Sequence, residues 1–245
     1  MDISTYEVEA EAEANHWWFV VRRQLFADII AQLGLAMNAR VLDIGTSTGT
    51  NLRLLRDLGY VNRVGLDMSD DAIRWCAEKG FGKVEKGDAC NLPFADGEFD
   101  LVMAPDIIEH VDDDVRAISE IRRVLAPGGT AIITVPAFQS LWGLQDTVSH
   151  HKRRYRRKQL LAAISSAGLE CSESYYFNYL LFIPIWAARQ VIRLLGLQLK
   201  SENQVNNAFL NRFLTWLFRI DVATARHIHP PFGVSIMAVT KRAEG

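Results

Sequence analysis

Five short strand-like segments, each followed by residues at helical spacing or by a turn, limit what this chain can fold into. VLDI at 41–44 carries an acid near its end and enters a Gly/Thr/Ser cluster, as a buried strand entering a tight turn would. Leu52, Leu54, Leu55 and Leu58 then recur at helical spacing, and Gly59 closes that helix. The cycle repeats. Strand 62–67 (NRVGLD) precedes Ser69, an N-cap for a helix through Lys79. Strand 83–86 leads into GDACNLPF, and strand 99–104 (FDLVMA) into a helix over 113–125. Pro127-Gly128-Gly129 turns the chain into strand 130–135. Strands alternating with helices at this spacing predict right-handed βαβ units in a parallel, doubly wound α/β sheet.

After residue 135 the rhythm changes. A long loop over 136–155 precedes a helix at 156–167 and a strand at 169–177; a last strand, 234–240, follows about fifty Phe-, Leu- and Trp-rich residues. No repeat or low-complexity linker interrupts the 245 residues, 49% of them hydrophobic, so one core and one domain are expected. Its parts are an N-terminal helical cap (1–38), a substrate-loop insertion (136–155) and a helical lid insertion (178–230). The net charge of -2 gives no global field for nucleic acid, which is not expected as a partner. Cys76, Cys90 and Cys171 are odd in number and scattered, arguing against a disulfide framework. The acidic N-terminus shows no signal peptide, and the longest uncharged run, broken by Pro184, is too short to span a bilayer. A cytoplasmic protein is expected.

Gly45-Thr46-Ser47-Thr48-Gly49 admits two functional readings. It fits G-x-S-x-G, a nucleophile elbow, with Ser47, Asp146 and His151 in hydrolase order. That elbow belongs deeper in a sheet and after an upstream oxyanion loop; here it follows the first strand and no H-G-G-G precedes it. It also fits a loop whose amides and helix N-terminus hold an anionic cofactor group. Asp67, ending the second strand, suits a ribose diol. G-x-G-x-x-G is not met, which disfavours NAD. A plain strand-to-helix turn is the bland alternative.

Taken together, VLDIGTSTG, VGLDMS, GDACNLPF, FDLVMAPDIIEHV and RRVLAPGG resemble class I S-adenosylmethionine-dependent methyltransferases over residues 40–135. HWWF with Arg22-Arg23, VPAFQSLWGLQD, HKRRY and PFGVS extend the likeness to a bacterial subfamily associated with glycosyltransferases and glycan or glycolipid assembly. The resemblance implies a Rossmann-like, seven-stranded methyltransferase sheet with an α-helical insertion before the last strand, and S-adenosyl-L-methionine as cofactor. Asp43 and Gly45 would line its methionine end, with Thr46, Ser47 and Gly49 in the same loop. Asp67 would bind the ribose hydroxyls; Asp88 and Ala89 would meet the adenine, with Met68 and Leu92 as apolar walls. Asp106 joins this set from the end of the fourth strand. Most members carry glycine where this chain has Ser47, so a positive φ there would strain it.

Methyl transfer needs a positioned acceptor, exclusion of water and, for a hydroxyl, loss of a proton. His110, beside Glu109, is one candidate base; Glu109 and His110 as loop-fixing residues are the alternative. His151, oriented by Asp146, is the other candidate, with Tyr155 nearby. Arg153, Arg154, Arg156 and Arg157 are either phosphate-binding forks or a solvated basic face. No His/Asp/Glu set has ligand spacing, and His227-Ile228-His229, followed by two prolines, reads as a turn, so no metal is expected. Trp17, Trp18 and Phe19 either cap the cofactor or pack in the core. In the lid, Phe209, Leu210, Phe213, Leu214, Leu217 and Ile220 predict an amphipathic helix. It suits a cover over a small-molecule, sugar or lipid-linked acceptor, a homodimer face, or peripheral contact of 178–220 with the inner membrane. A protein that binds the cofactor without catalysis is the rival from another class.

Overall fold

The computed structural model describes residues 3–195 and 207–243. Two N-terminal helices, α1 (Ile3–Asn15) and α2 (Trp17–Leu33), precede an alternating series. That series runs β1 (Arg40–Ile44), α3 (Thr50–Asp57), β2 (Asn62–Asp67), α4 (Asp70–Glu78), β3 (Lys83–Lys86), β4 (Phe99–Pro105), α5 (Asp114–Val124) and β5 (Leu125–Pro136). A 3₁₀ turn (Gln139–Leu141), α6 (Leu144–Val148), α7 (Arg157–Ser166), β6 (Glu170–Phe177), α8 (Phe182–Leu195), α9 (Ala208–Ile228) and β7 (Ser235–Lys241) complete the described chain.

The strands form one seven-stranded sheet in the order β3-β2-β1-β4-β5-β7-β6. β1 to β5 are mutually parallel, as the alternation requires. At the far edge, beyond the alternating series, β7 runs antiparallel to both β5 and β6. β7 arrives after α8 and α9 and enters from the opposite end, which a direct βαβ crossover would not allow. The order reverses about β1 and β4, and the crevice above their carboxyl ends is where open α/β sheets bind ligands.

Alternation along the central strands feeds two layers. Val41, Leu101, Met103 and Ile132 pack with α2 and α9 residues such as Ile29 and Phe218. Leu42, Val102, Ala104 and Ile133 face α5 and α7 through Ile118, Ile121 and Leu160. Burial on both faces explains why these strands read as continuous apolar runs. Local signals hold the helices: Ser69 Oγ caps α4 at Ala72 N, Asp113 caps α5 at Arg116 N, and Gly34 ends α2 in the left-handed region.

Two expectations shift. The 136–155 loop contains the short α6, because Asp146 reaches back to accept from Gly143 N–H at 2.7 Å. α9 also turns a different face inward from the one its apolar spacing suggests. Phe218, Asp221 and Ala225 are buried, while Phe209, Phe213, Trp216 and Ile220 stay exposed. Asp221 fixes this rotation by accepting from Asn178 N (2.6 Å) and Leu180 N (2.8 Å) at the end of β6. Trp18 stacks on Phe218 and Phe177, and Trp17 meets Phe218 edge-on. The pair Trp17 and Trp18 is thus core packing between α2, β6 and α9.

Candidate active site

The carboxyl ends of β1 and β2 present the first half of the site. Gly45 leaves β1 at φ 75°, and a Cβ there would lie 1.9 Å from Ile107 Cδ1. Only glycine lets the loop after β4 close over this turn. Ser47 also has positive φ, 47°, so the strained serine foreseen from the sequence is present. Its N–H donates to Asp67 Oδ2 at 2.8 Å, and Ser69 N–H donates to Asp67 Oδ1 at 2.8 Å. Two loops therefore hold one carboxylate in place. Thr46 Oγ1 donates back to Asp43 O at 3.1 Å and pins the turn. Gly49, φ 78°, leads into α3, and a Cβ there would meet Phe81 at 2.5 Å.

Asp43 is fully buried. Its Oδ1 accepts from Asn51 Nδ2 at 3.0 Å, while Oδ2 has no hydrogen-bond partner. Burial pushes this carboxyl up to about 7, against the hydrogen bond from Asn51 and with the help of neighbouring Asp67. Asp88 is exposed and accepts from Cys90 N–H at 2.8 Å. Ala89 is buried and Met68 is 70% exposed. Leu92 packs in the core, its N–H on Glu120 Oε2 at 2.9 Å. Asp106 has φ 56° and pairs with Arg22 of α2 at 2.6 Å; both also bond Thr134 Oγ1 at 3.1 Å. Glu13 of α1 accepts from Thr48 Oγ1, placing the first helix against the glycine loop. Glu13, Asn51 and Arg22 had no assigned part in the site from sequence. For Arg22, an arginine one turn beyond Trp18 on a buried helix face was the available signal.

The second half lies just past β4 and in the 136–155 segment. Lys152 N–H donates to Glu109 O at 2.8 Å, and His151 N–H to Asp146 O at 2.8 Å. The first of these bonds lashes the two regions together, and the second folds the 136–155 segment on itself. His151 Nδ1 meets Asp146 Oδ1 at 2.8 Å, and its Nε2 lies 4.0 Å from Glu109 Oε1. The His110 and His151 rings meet edge-to-face with centroids 4.6 Å apart. Ligating atoms of Glu109, His110 and His151 all lie within 4.8 Å of one another. Burial opposes the Asp146 charge, yet bonds from His151, Arg154 and Gly143 outweigh it and hold the carboxyl well below its usual range. Glu109 is fully buried, neither oxygen has a partner, and burial drives its carboxyl well up. Burial, then the His151 charge, lowers His110.

The arginine run takes a structural part. Arg154 is buried on Asp146 through Nε (2.7 Å) and Nη2 (2.9 Å). Arg153 holds Val111 O, Asp112 O and Asp114, and Arg157 holds Ser174 O. The expectation of four phosphate forks therefore fails for these three: their guanidinium groups fasten loops inside the molecule. Tyr155 is buried and donates to Asp114 Oδ2 at 2.7 Å and Ile108 O at 3.3 Å, so its hydroxyl supports the loop after β4. Burial, then this bond, raises its pKa. The hydrolase constellation does not assemble among the described contacts. Asp146, Glu109 and His110 surround His151, while Ser47 N–H serves Asp67.

Residues 42–133 match the family described as "Methyltransferase domain". Norajmaline N-methyltransferase of Rauvolfia serpentina is 31% identical over 153 residues, covering 59% of this chain and 51% of that protein. The chain spans about half the length of the curated relatives named as methyltransferases that it matches. A solved complex between the Haloferax volcanii Trm112 methyltransferase activator and a methyltransferase covers 99% of this chain and 96% of that one, with TM-score 0.65 and 20% identity. Phosphoethanolamine N-methyltransferase 2 of Haemonchus contortus, solved with S-adenosyl-L-methionine, covers 90% of this chain and 52% of that one, with TM-score 0.59 and 20% identity. These likenesses establish the fold, a Rossmann-like methyltransferase sheet, and the Haemonchus protein of that fold was solved with S-adenosyl-L-methionine. The residues present fit it: a buried Asp43 oxygen without a partner, a Gly45 turn no side chain could enter, and an Asp67 carboxylate pinned at the strand end.

Proposed function

We propose that the chain is an S-adenosylmethionine-dependent methyltransferase acting on a small-molecule, sugar or lipid-linked glycan acceptor. One observation carries the reading. Ile107 closes over Gly45, and the same loop continues directly to Glu109 and His110, against which His151 and Asp146 are lashed. The loop after β4 thereby touches both the glycine turn and the candidate bases. Asp43, Gly45, Thr46, Ser47 and Gly49 would receive the methionine end and Asp67 the ribose hydroxyls. Asp88 and Ala89 would meet the adenine, with Met68 at its rim. When bound, S-adenosylmethionine supplies a methyl group already activated on a sulfonium centre.

The chain must then orient the acceptor and, for a hydroxyl, take its proton. Asp146 fixes His151 through Nδ1 and leaves Nε2 as the proton-accepting atom. His110 lies against that ring and is kept neutral by burial. Asp106, paired with Arg22 at 2.6 Å, lies in the same loop as Glu109 and His110. Ser47 leaves room for a second reading, a cofactor-binding module without turnover. Formation of S-adenosylhomocysteine with sugar and polyprenyl-linked acceptors tests the two; product formed with none of them, despite cofactor binding, favours the module.

The acceptor's lipid linkage is supported by α9. Phe209, Phe213, Trp216 and Ile220 form an exposed apolar strip, with Arg212 and Arg219 exposed beside it. No described helix is long and apolar enough to cross a membrane. The strip suits peripheral contact with an anionic inner-membrane surface in a cytoplasmic enzyme. Flotation with anionic liposomes should show binding that falls with salt and drops several-fold when Phe213 and Trp216 become Ser. Flotation unchanged in that variant would remove the membrane from the account.

A further inference from the structure

We propose that Glu109, His110 and His151 bind one divalent transition-metal ion of the zinc class. The Glu109 side chain is fully buried and neither oxygen has a hydrogen-bond partner. A carboxylate in that state is strongly disfavoured unless a proton or a cation joins it. The nearby cations are committed elsewhere: Arg22 to Asp106 at 2.6 Å and Arg154 to Asp146 at 2.7 Å. Both arginines still favour the charged form of Glu109, while Asp106 opposes it.

Two imidazoles stand beside this carboxylate, with all three ligating atoms within 4.8 Å of one another and His151 Nε2 at 4.0 Å from Glu109 Oε1. Zinc bonds of about 2.0–2.1 Å set tetrahedral ligand atoms roughly 3.4 Å apart. The set must therefore close by about 1 Å, within reach of rotation about the Glu109 and His110 side chains. His151 is already prepared, because Asp146 holds Nδ1 and leaves Nε2 to face the other two ligands. That carboxylate–histidine pairing is the usual support of a metal-bound imidazole. Two nitrogens and one oxygen select a transition metal over magnesium or calcium.

Three protein ligands leave a coordination position open. This rests on the acceptor-side reading above: an acceptor hydroxyl at that position would release its proton to water and remain as a metal-bound alkoxide. In the metal-free chain, His151 Nε2 takes the same proton.

The full chain, stripped with chelator, should be titrated with cobalt(II) and followed by its visible absorption, then with zinc by calorimetry. One ion per chain is expected. Glu109→Gln and His151→Gln should each weaken binding by more than about 100-fold, and Asp146→Asn by about 10–100-fold, the range of an outer-shell partner. Thermal melting and S-adenosylhomocysteine affinity report whether each variant is folded. Absence of stoichiometric binding, or equal binding by folded Glu109→Gln, overturns the metal site. A chain that binds no metal yet forms S-adenosylhomocysteine leaves the methyltransferase reading standing. One that binds zinc but no cofactor defeats that reading alone.

Discussion

Asp43 and Asp146 are both fully buried aspartates, one in each half of the site, and their surroundings drive them in opposite directions. Asp43 keeps one oxygen without a partner and is pushed up to about 7 by burial. Asp146 is just as enclosed, but His151, Arg154 and Gly143 surround it and it is held low. The cofactor half therefore carries an unsatisfied group at the end of a strand, a vacancy in hydrogen bonding that a bound ligand can fill. The other half is internally satisfied around Asp146, with the unpartnered Glu109 carboxyl beside the two histidines. Burial alone does not set the state of a carboxylate; the donors delivered to it do.

The difference can be tested by removing one half at a time. His151→Ala should show the largest effect, a fall in turnover of roughly 10²–10⁴-fold with cofactor affinity unchanged. A comparable loss of cofactor affinity would mean that the halves are not separate.

Next comes pH. The folded pKa of Asp43, about 7, stands above its unfolded value near 4. The folded chain thus keeps a proton that the unfolded chain releases between about pH 4 and pH 7, so this group's stability contribution falls as pH rises through that window. The span is worth up to about 4 kcal/mol. Denaturant unfolding of wild type and Asp43→Asn between those pH values should show the variant losing that slope. Asp146, held low, acts in the opposite sense: its contribution is intact above the unfolded pKa and is lost only as the solution becomes strongly acid. Parallel pH profiles for wild type and Asp43→Asn would count against the assignment.

The smallest effect belongs to Ser47. Its positive φ costs about 1–2 kcal/mol, and glycine gives back part of that gain through its looser unfolded state. Ser47→Gly should therefore stabilise the chain by about 0.5–1 kcal/mol in thermal unfolding; destabilisation would mean the serine side chain has a role in the loop.

Legibility followed the same division. Asp43, Gly45 and Asp67 sit at strand ends that alternation and turn residues mark directly, so the parallel part of the sheet and the glycine turn after β1 were readable in order. Ser47 was readable as a departure, and its φ of 47° follows from the loop it occupies. The Asp146–His151 pairing was foreseen from proximity in sequence. Its approach to Glu109 was not, because the contact depends on Lys152 N–H bonding Glu109 O across the fold. Absence of local ligand spacing likewise concealed the Glu109, His110 and His151 cluster. KRRYRRK left phosphate forks and a solvated face both open, because sequence shows the charge but not the buried Asp146 and the carbonyls that claim Arg153, Arg154 and Arg157. Which face of α9 turns inward was not legible for a related reason: Asp221, a polar residue, caps β6 and sets the rotation.

The central claim is that the β1–β2 end is built for S-adenosylmethionine, and calorimetric titration of the full chain tests it most directly. S-adenosylmethionine and S-adenosylhomocysteine should each bind at one site per chain. Asp67→Ala should weaken both by about 1.5–3 kcal/mol through loss of charge-assisted hydrogen bonds, and NAD should not compete. No S-adenosylmethionine binding by the folded chain, or tight NAD binding at the same site, would contradict the account.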